Sequence, residues 1–257
     1  MPEPIVTIAE QDGVAVLTLA SPPVNALGSG LIRALHDALS GIEQKPAIHV
    51  LLIRSGLKSF CAGADLAEMR ANLADRSSVE AQIESVRAMQ TLLKRIEALP
   101  LVTIAEIGGA AMGGGLELAL ACDFRVAAQE AKLALPETTL GLIPGAGGTQ
   151  RLTALCGLAV AKRLILGGET LDGAAAAALG VVHWAVQRAE LTAFCDSLAA
   201  KLAGLPRSVA AAAKSCIAAY ADPARDGYEA ELQATRDLLL TEPETRARLD
   251  AFLSGQR

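Results

Sequence analysis

Aromatic residues are scarce in this chain of 257 residues, because Trp, Tyr and Phe together make up only 3% of it. Single-stranded nucleic acids are bound largely by stacking on aromatic side chains, so the scarcity argues against that function. The chain also lacks a run of Lys or Arg, and its 23 basic and 28 acidic residues give a net charge of −5. We therefore expect no nucleic-acid partner and no attraction to an anionic membrane surface.

Segments that direct a protein to other compartments are also missing from the sequence. No stretch reaches about 18 uninterrupted apolar residues, so we expect no membrane span. The first residues, Met1–Pro4, contain neither the basic nor the apolar part of a secretory signal. The five cysteines are widely spaced and odd in number, a pattern typical of reduced thiols. Together these features predict a cytoplasmic location.

Hydrophobic residues make up 52% of the chain, and their spacing predicts its organisation. Short β-branched runs at Ile5–Ala9 and Val14–Leu19 predict a hairpin, and Ser29–Glu43 has helical spacing. Strands then alternate with helices to about residue 185, which predicts an α/β fold. The later pattern is helical only. We therefore predict a core over residues 1–189 and a helical C-terminal part over residues 190–257.

Three glycine-rich segments, Ser59–Leu66, Gly108–Glu117 and Leu140–Arg151, are candidates for ligand contact. Neither a Gly-Lys-Ser/Thr phosphate loop nor the spacing of a dinucleotide-binding loop is present. Gly113–Gly115 precede a predicted helix, whose first N–H groups have no internal partner and could stabilise an oxyanion. A second donor could come from the loop Ala62-Gly63-Ala64. Tight packing of a helix on a strand explains the same glycines equally well.

Two glutamates are isolated among apolar neighbours. Glu117 follows Gly113–Gly115 in the first turn of a predicted helix, and Glu137 follows Pro136. Two carboxyl groups in one apolar pocket would shift each other's pKa, so that one holds a proton while the other accepts one. A residue that begins a helix after Pro136 is the structural alternative for Glu137. The three histidines show no metal-ligand spacing, so we expect no metal site.

Five segments together give a resemblance to the crotonase superfamily, the enoyl-CoA hydratase/isomerase proteins. They are Pro23–Leu27, Phe60–Leu66, Met112–Ala119, Pro136-Glu137 and Gly141–Leu152. The resemblance covers nearly the whole chain. It implies an α/β fold built as a spiral of ββα units, with a helical C-terminal region for oligomerisation. It also implies self-association as a homotrimer or as a hexamer built from two trimers.

The resemblance further implies an enoyl-CoA hydratase that acts on an acyl-CoA thioester, as in fatty acid β-oxidation, without a metal or other cofactor. Coenzyme A would be part of the substrate. Glu117 and Glu137 would be catalytic, and the N–H groups of Ala62 and Gly114 would form the oxyanion hole. The residues implied to line the substrate are Val24, Ala26, Ala62, Gly63, Ala64, Asp65, Leu66, Gly113, Gly114, Pro136 and Gly145.

Sibling reactions of the superfamily are the main alternatives. Its isomerases often lack a residue like Glu117, and its dienoyl isomerases place an aspartate where this chain has Leu142-Ile143. A hydratase of cyclic or branched dienoyl-CoA also remains open, because the predicted acyl-pocket wall, Met69–Leu73 and Ile83–Leu93, leaves the acyl preference unreadable. Some relatives bind RNA through a lysine-rich helix, but Ser29–Lys45 has few cations. A scaffold without activity is disfavoured by the two glutamates.

Overall fold

A computed structural model describes residues 3–72 and 79–255. Within them the chain forms nine strands and ten helices in an alternating order. The strands are β1 (Val6–Gln11), β2 (Val14–Leu19), β3 (Val50–Ser55), β4 (Val102–Ile107), β5 (Ala111–Met112), β6 (Phe124–Ala128), β7 (Lys132–Ala134), β8 (Leu171–Asp172) and β9 (Trp184–Val186). The helices are α1 (Ser29–Glu43), α2 (Leu66–Asn72), α3 (Val79–Ala98), α4 (Gly114–Leu120), α5 (Gly148–Leu166), α6 (Gly173–Ala178), α7 (Arg188–Ala203), α8 (Arg207–Ala219), α9 (Gly227–Thr241) and α10 (Glu244–Leu253).

The larger sheet has six strands in the order β1-β2-β3-β4-β6-β9. Its first two strands form the antiparallel hairpin predicted from the sequence, with Val6 opposite Leu19. The other neighbours pair in parallel. β4 is buried along its whole length because helices cover the parallel strands, which explains its continuous apolar run. The mixed α/β class expected from the sequence is therefore confirmed.

A smaller sheet of β5, β7 and β8 lies beside the large one and shows how the chain winds. The units β4-β5-α4 and β6-β7-α5 each add a strand to the large sheet, a strand to the small sheet and then a helix. An isolated bridge between Cys61 and Ala111 extends the small sheet to the preceding unit. This repetition is the spiral of ββα units that the resemblance implies. The winding brings the chain segments that follow the strands of the smaller sheet close to one another.

Helices α1 and α3 pack against each other and turn apolar faces towards the core. In α1 the buried residues include Leu31, Leu35 and Leu39, and the helix has the predicted bounds. In α3 the buried residues are confined to its second half, from Met89 to Ile96. The pocket-wall residue Leu73 lies outside the described residues.

The C-terminal helices differ in how they meet the core. α7 packs on β2, β3, β4 and β6, and its Leu191, Cys195 and Ala199 belong to the main hydrophobic core. By contrast, α9 and α10 bury none of their residues. The division at residue 190 stays a prediction, although a helix of the proposed C-terminal part packs on the sheet. In the described part of the chain, no helix combines the length and apolar character needed to cross a membrane.

Candidate active site

Two of the predicted substrate-lining segments lie side by side. The Leu27 N–H donates to the Gly63 carbonyl at 2.7 Å, and Leu27 and Ala64 form a parallel bridge. The preceding Asn25 is fully buried, and its Nδ2 donates to the Phe60 carbonyl at 3.0 Å. These bonds hold the segment containing Val24 and Ala26 against the loop 62–66.

The structure corrects the predicted role of Ala62. Its N–H already donates to the Val24 carbonyl at 3.0 Å, so it is not free to bind an oxyanion. Among the described residues, the N–H groups of Ala64 and Gly114 have no acceptor. They are also close neighbours, because a Cβ built on Gly114 would lie 3.6 Å from the Ala64 nitrogen. The two free donors are therefore the N–H groups of Ala64 and Gly114. Gly114 is the predicted residue, and Ala64 lies two residues after the predicted Ala62.

Glu117 is buried in the first turn of α4 and is held from one side. Its Oε1 accepts the N–H groups of Ala146 at 2.8 Å and Gly148 at 2.7 Å. Gly148 is the first residue of α5, so the carboxylate lies at the positive end of that helix. Burial raises the pKa of Glu117, while the two N–H groups and the nearby Arg151 oppose that rise.

Glu137 begins a 3-10 turn, Glu137–Leu140, directly after Pro136. Its carboxyl group lies against Gly113, since a Cβ built there would be 2.7 Å from Glu137 Oε1. Its Oε2 is buried without a hydrogen-bond partner among the described residues. Burial raises the pKa of Glu137 to about 7, and the charge of Glu117 pushes it in the same direction. This carboxyl group can therefore hold or release a proton near neutral pH.

Three other residues that the resemblance implies to line the substrate, Asp65, Leu66 and Gly145, differ in their contacts and exposure. The side chain of Asp65 is used locally, because its Oδ1 accepts the Ala67 and Glu68 N–H groups at the start of α2. Leu66 is exposed at that same helix end. On the other side, the Gly145 carbonyl accepts the side chain of Gln90 from α3 at 2.7 Å.

A cavity of about 410 Å³ lies between α1, α2 and α3 and borders Ala64. Its apolar lining includes Leu27, Ile32, Met69 and Met89, and its polar lining includes Arg33 and Asn72. Cavities of this size hold small molecules in many proteins. It therefore offers room for part of a substrate whose reacting group is bound at Ala64.

The structure thus groups Ala64, Gly114, Glu117 and Glu137, which sequence reasoning had placed on three separate segments. It adds donors that this reasoning missed, the N–H groups of Ala146 and Gly148. The glycine cluster after Pro144 indicated a tight loop. It did not indicate that the N–H groups of this loop donate to Glu117. Within residues 3–72 and 79–255, no three His, Cys, Asp or Glu side chains group as a metal site. That no cofactor is needed stays a prediction.

Comparison with known proteins places the chain in a family. A family model described as enoyl-CoA hydratase/isomerase matches residues 9–253. The chain belongs to the enoyl-CoA hydratase/isomerase family. The resemblance inferred from the five sequence segments is therefore confirmed.

Relatives whose names include enoyl-CoA hydratase align with more than two thirds of this chain. A probable enoyl-CoA hydratase of Bacillus subtilis is 42% identical over 199 residues, 77% of this chain and 76% of the relative. A mitochondrial enoyl-CoA hydratase domain-containing protein 2 of Bos taurus is 47% identical over 180 residues, 69% of this chain. That match spans 59% of the bovine protein, and the match to its Mus musculus counterpart spans 55% of that protein.

Structural comparison supports the same family. The crystal structure of an enoyl-CoA hydratase from Bacillus anthracis superposes with a TM-score of 0.91 at 33% identity, covering 98% of this chain and 97% of that one.

An enoyl-CoA isomerase/hydratase of Mycosarcoma maydis is 38% identical over 256 residues, 95% of this chain and 91% of the relative. Family membership therefore leaves open which of the two reactions this chain performs.

Proposed function

We propose that this family member is an enoyl-CoA hydratase. It would add water reversibly across the α,β double bond of an enoyl-CoA thioester. The observation that carries the proposal is the grouping of the buried carboxyl group of Glu117 and the half-buried one of Glu137 beside two N–H groups without acceptors. Addition of water to a conjugated thioester needs a proton acceptor, a proton donor and a stabilised enolate, and this group of residues supplies all three.

The N–H groups of Ala64 and Gly114 would bind the thioester carbonyl oxygen. Negative charge gathers on this oxygen when water attacks the β-carbon, and two donors already in place stabilise it without rearrangement. Ala64 takes the role that the sequence analysis gave to Ala62. The proposed neighbours of the bound acyl-CoA are Val24, Ala26, Gly63, Asp65, Leu66, Gly113, Pro136 and Gly145.

The two glutamates would divide the proton transfers. Ionised Glu117, held through Oε1, would accept a proton from the attacking water as its oxygen bonds to the β-carbon. Protonated Glu137 would deliver its proton to the α-carbon of the enolate. The added groups are OH and H, so one water is consumed, and proton exchange with solvent resets both carboxyl groups. The pKa of about 7 suits Glu137 to this role.

Isomerisation of the double bond is the second candidate reaction. A single carboxyl group that removes and returns a proton is enough for it, and Glu137 has the matching pKa. The name of the Mycosarcoma maydis relative includes both activities. Hydration is favoured here because Glu117 supplies a second carboxyl group, which is buried and has one oxygen fixed by two N–H groups.

The decisive experiment follows the loss of enoyl-thioester absorbance with crotonyl-CoA. We expect fast hydration by the wild type and a fall in kcat of at least about 10²-fold in both Glu117→Gln and Glu137→Gln, within the range for acid–base residues. Glu130→Gln is the matched control, because Glu130 is an exposed glutamate paired with Arg188 on the surface. It should retain the activity of the wild type.

A 3-enoyl-CoA substrate separates the two reactions. Conversion to the conjugated 2-enoyl thioester without hydration of crotonyl-CoA would assign the protein as an isomerase. Loss of activity in Glu137→Gln alone would support the same conclusion. Comparing straight-chain with cyclic or branched enoyl thioesters would then define the acyl group.

Self-association is proposed for the C-terminal helices. Large apolar or aromatic side chains there are strongly exposed, among them Ile217 at 75%, Tyr220 at 98% and Leu253 at 80%. Such an exposure of large apolar side chains on several C-terminal helices is consistent with an interface between subunits. A homotrimer, or a hexamer of two trimers, would cover these side chains, and light scattering measures the mass of the assembly.

The cytoplasmic location stays a prediction, because several relatives are mitochondrial by name.

A further inference from the structure

Arg151, in the first turn of α5, engages all three nitrogens of its guanidinium group. Its Nη1 donates to the Ala146 carbonyl at 2.9 Å. Its Nε and Nη2 both donate to Glu97 Oε2 from α3, at 3.2 Å and 2.9 Å. The Arg151 side chain is only 10% exposed, whereas that of Glu97 is 55% exposed. The guanidinium group therefore joins a buried loop to the surface of a neighbouring helix.

The loop that accepts a hydrogen bond from Arg151 is the same loop that donates hydrogen bonds to Glu117. Ala146 donates its N–H to Glu117 and offers its carbonyl to Arg151. Between the two donor residues, Gly147 has φ of +104°, and a Cβ there would lie 2.4 Å from Arg151 Nη1. The guanidinium group consequently packs directly on the Gly147 backbone, which a side chain would prevent.

We propose that Arg151 is a positioning residue for the reaction. It clamps the segment 146–148 to α3, so that the N–H groups of Ala146 and Gly148 hold the Glu117 carboxylate in its reactive orientation. The inference rests on the proposed role of Glu117 as a proton acceptor. Arg151 does not touch the site of the reacting atoms and acts through the loop.

Three properties of arginine suit it to this task. Its planar fork donates from three separate nitrogens to the Ala146 carbonyl and to Glu97, whereas the ammonium group of lysine donates from a single nitrogen. Its buried position excludes water from the Ala146 carbonyl. Its positive charge opposes the rise in the pKa of Glu117 that burial causes. Replacement by lysine keeps the charge and loses the fork, and replacement by glutamine loses both.

The first test compares Arg151→Lys and Arg151→Gln in hydration of crotonyl-CoA. We expect kcat to fall roughly 10- to 100-fold in both, the range for small misplacement of a catalytic group, with KM within about twofold. The acid limb of the pH profile should move to higher pH only in Arg151→Gln, because Lys retains the positive charge. Arg163→Lys is the matched control, since Arg163 lies on the same helix in an exposed pair with Glu169.

A double mutant tests whether Arg151 acts through Glu117. In a Glu117→Gln background, adding Arg151→Gln should lower kcat by no more than about twofold, because the group being positioned is already gone. Losses that multiply in the double mutant would overturn the proposal. So would kcat values within about twofold of wild type in both single Arg151 variants, whatever their stability.

Amide hydrogen exchange gives a readout that does not depend on hydration. The N–H groups of Ala146 and Gly148 should exchange faster in Arg151→Gln than in wild type, and at the wild-type rate in Arg163→Lys. Unchanged exchange in Arg151→Gln would overturn the clamp. If the wild type fails to hydrate crotonyl-CoA, the proposed function fails by itself, and the exchange rates still decide whether Arg151 holds the loop.

Discussion

Backbone donors converge on Glu117, whereas the described residues around Glu137 provide none for its buried Oε2. One oxygen of Glu117 takes two N–H groups, and the positive end of α5 faces it. Glu137 rests against the bare backbone of Gly113. Burial raises the pKa of both carboxyl groups, but only that of Glu117 is opposed by hydrogen bonds from a neighbouring loop.

This difference teaches how one residue type can serve two roles. A carboxylate that is fixed by two N–H groups stays oriented and retains an ionised form that can accept a proton. A carboxyl group with a buried oxygen that has no donor prefers to keep its proton, because the charged form would be poorly solvated. In the proposed reaction, glutamate alone therefore supplies both the proton acceptor and the proton donor.

The largest expected effect comes from disturbing the Glu137 side of the comparison at Gly113. Gly113→Ala should lower kcat by at least about 10²-fold, because displaced catalytic groups lose that much rate. The new Cβ would lie 2.7 Å from Glu137 Oε1, and Gly113 has φ of +52°, which strains alanine. Crotonyl-CoA turnover measures the loss. Gly41→Ala is the control, since its Cβ would meet nothing within 4 Å in α1; equal activities would contradict the prediction.

The pH dependence of kcat/KM should separate the two glutamates. The proposed hydration uses protonated Glu137, so the rate should fall above pH 7, by about tenfold for each further pH unit. It also needs ionised Glu117, whose raised pKa sets the limb on the acid side. The residual activity of Glu137→Gln should show only the acid limb. A limb near pH 7 that persists in this variant would belong to another group.

The smallest expected effect is on stability. Unfolded Glu137 has the ordinary pKa of 4.5 and the folded pKa is about 7, so its protonated form favours folding at low pH. This contribution is complete below pH 4.5 and is lost as pH rises through 7. Glu137→Gln does not ionise and should therefore exceed wild type by about 1 to 3 kcal/mol at pH 8 and match it at pH 4.

Urea unfolding, followed by the fluorescence of Trp184, measures this difference. Trp184 is the single tryptophan of the chain, and it lies 5.8 Å from both Phe124 and Phe194 by ring centroids. Glu130→Gln, on the surface, controls for the loss of a carboxyl group. An advantage of Glu137→Gln that is the same at both pH values would show that the raised pKa is not its source.

Local patterns in the sequence predicted much of the fold. The hairpin, the bounds of α1 and the isolation of the two glutamates all depend on residues close in the chain. The choice between Ala62 and Ala64 does not, because the N–H of Ala62 donates to the carbonyl of the distant Val24, and this bond decides which N–H is free. Packing of α7 on the sheet was also missed. Its buried residues, Leu191, Cys195 and Ala199, form a narrow stripe that resembles an exposed helix in sequence.

The winding of the chain has a consequence for how such a protein can diversify. Ala64, Gly114 and Glu137 each lie on the connection that follows a different turn of the spiral, and the strands set the spacing between those connections. A substitution or insertion in one connection leaves the ladders of the sheets intact. New chemistry can therefore be acquired one turn at a time, with the donors for the carbonyl oxygen kept while the carboxyl groups are exchanged.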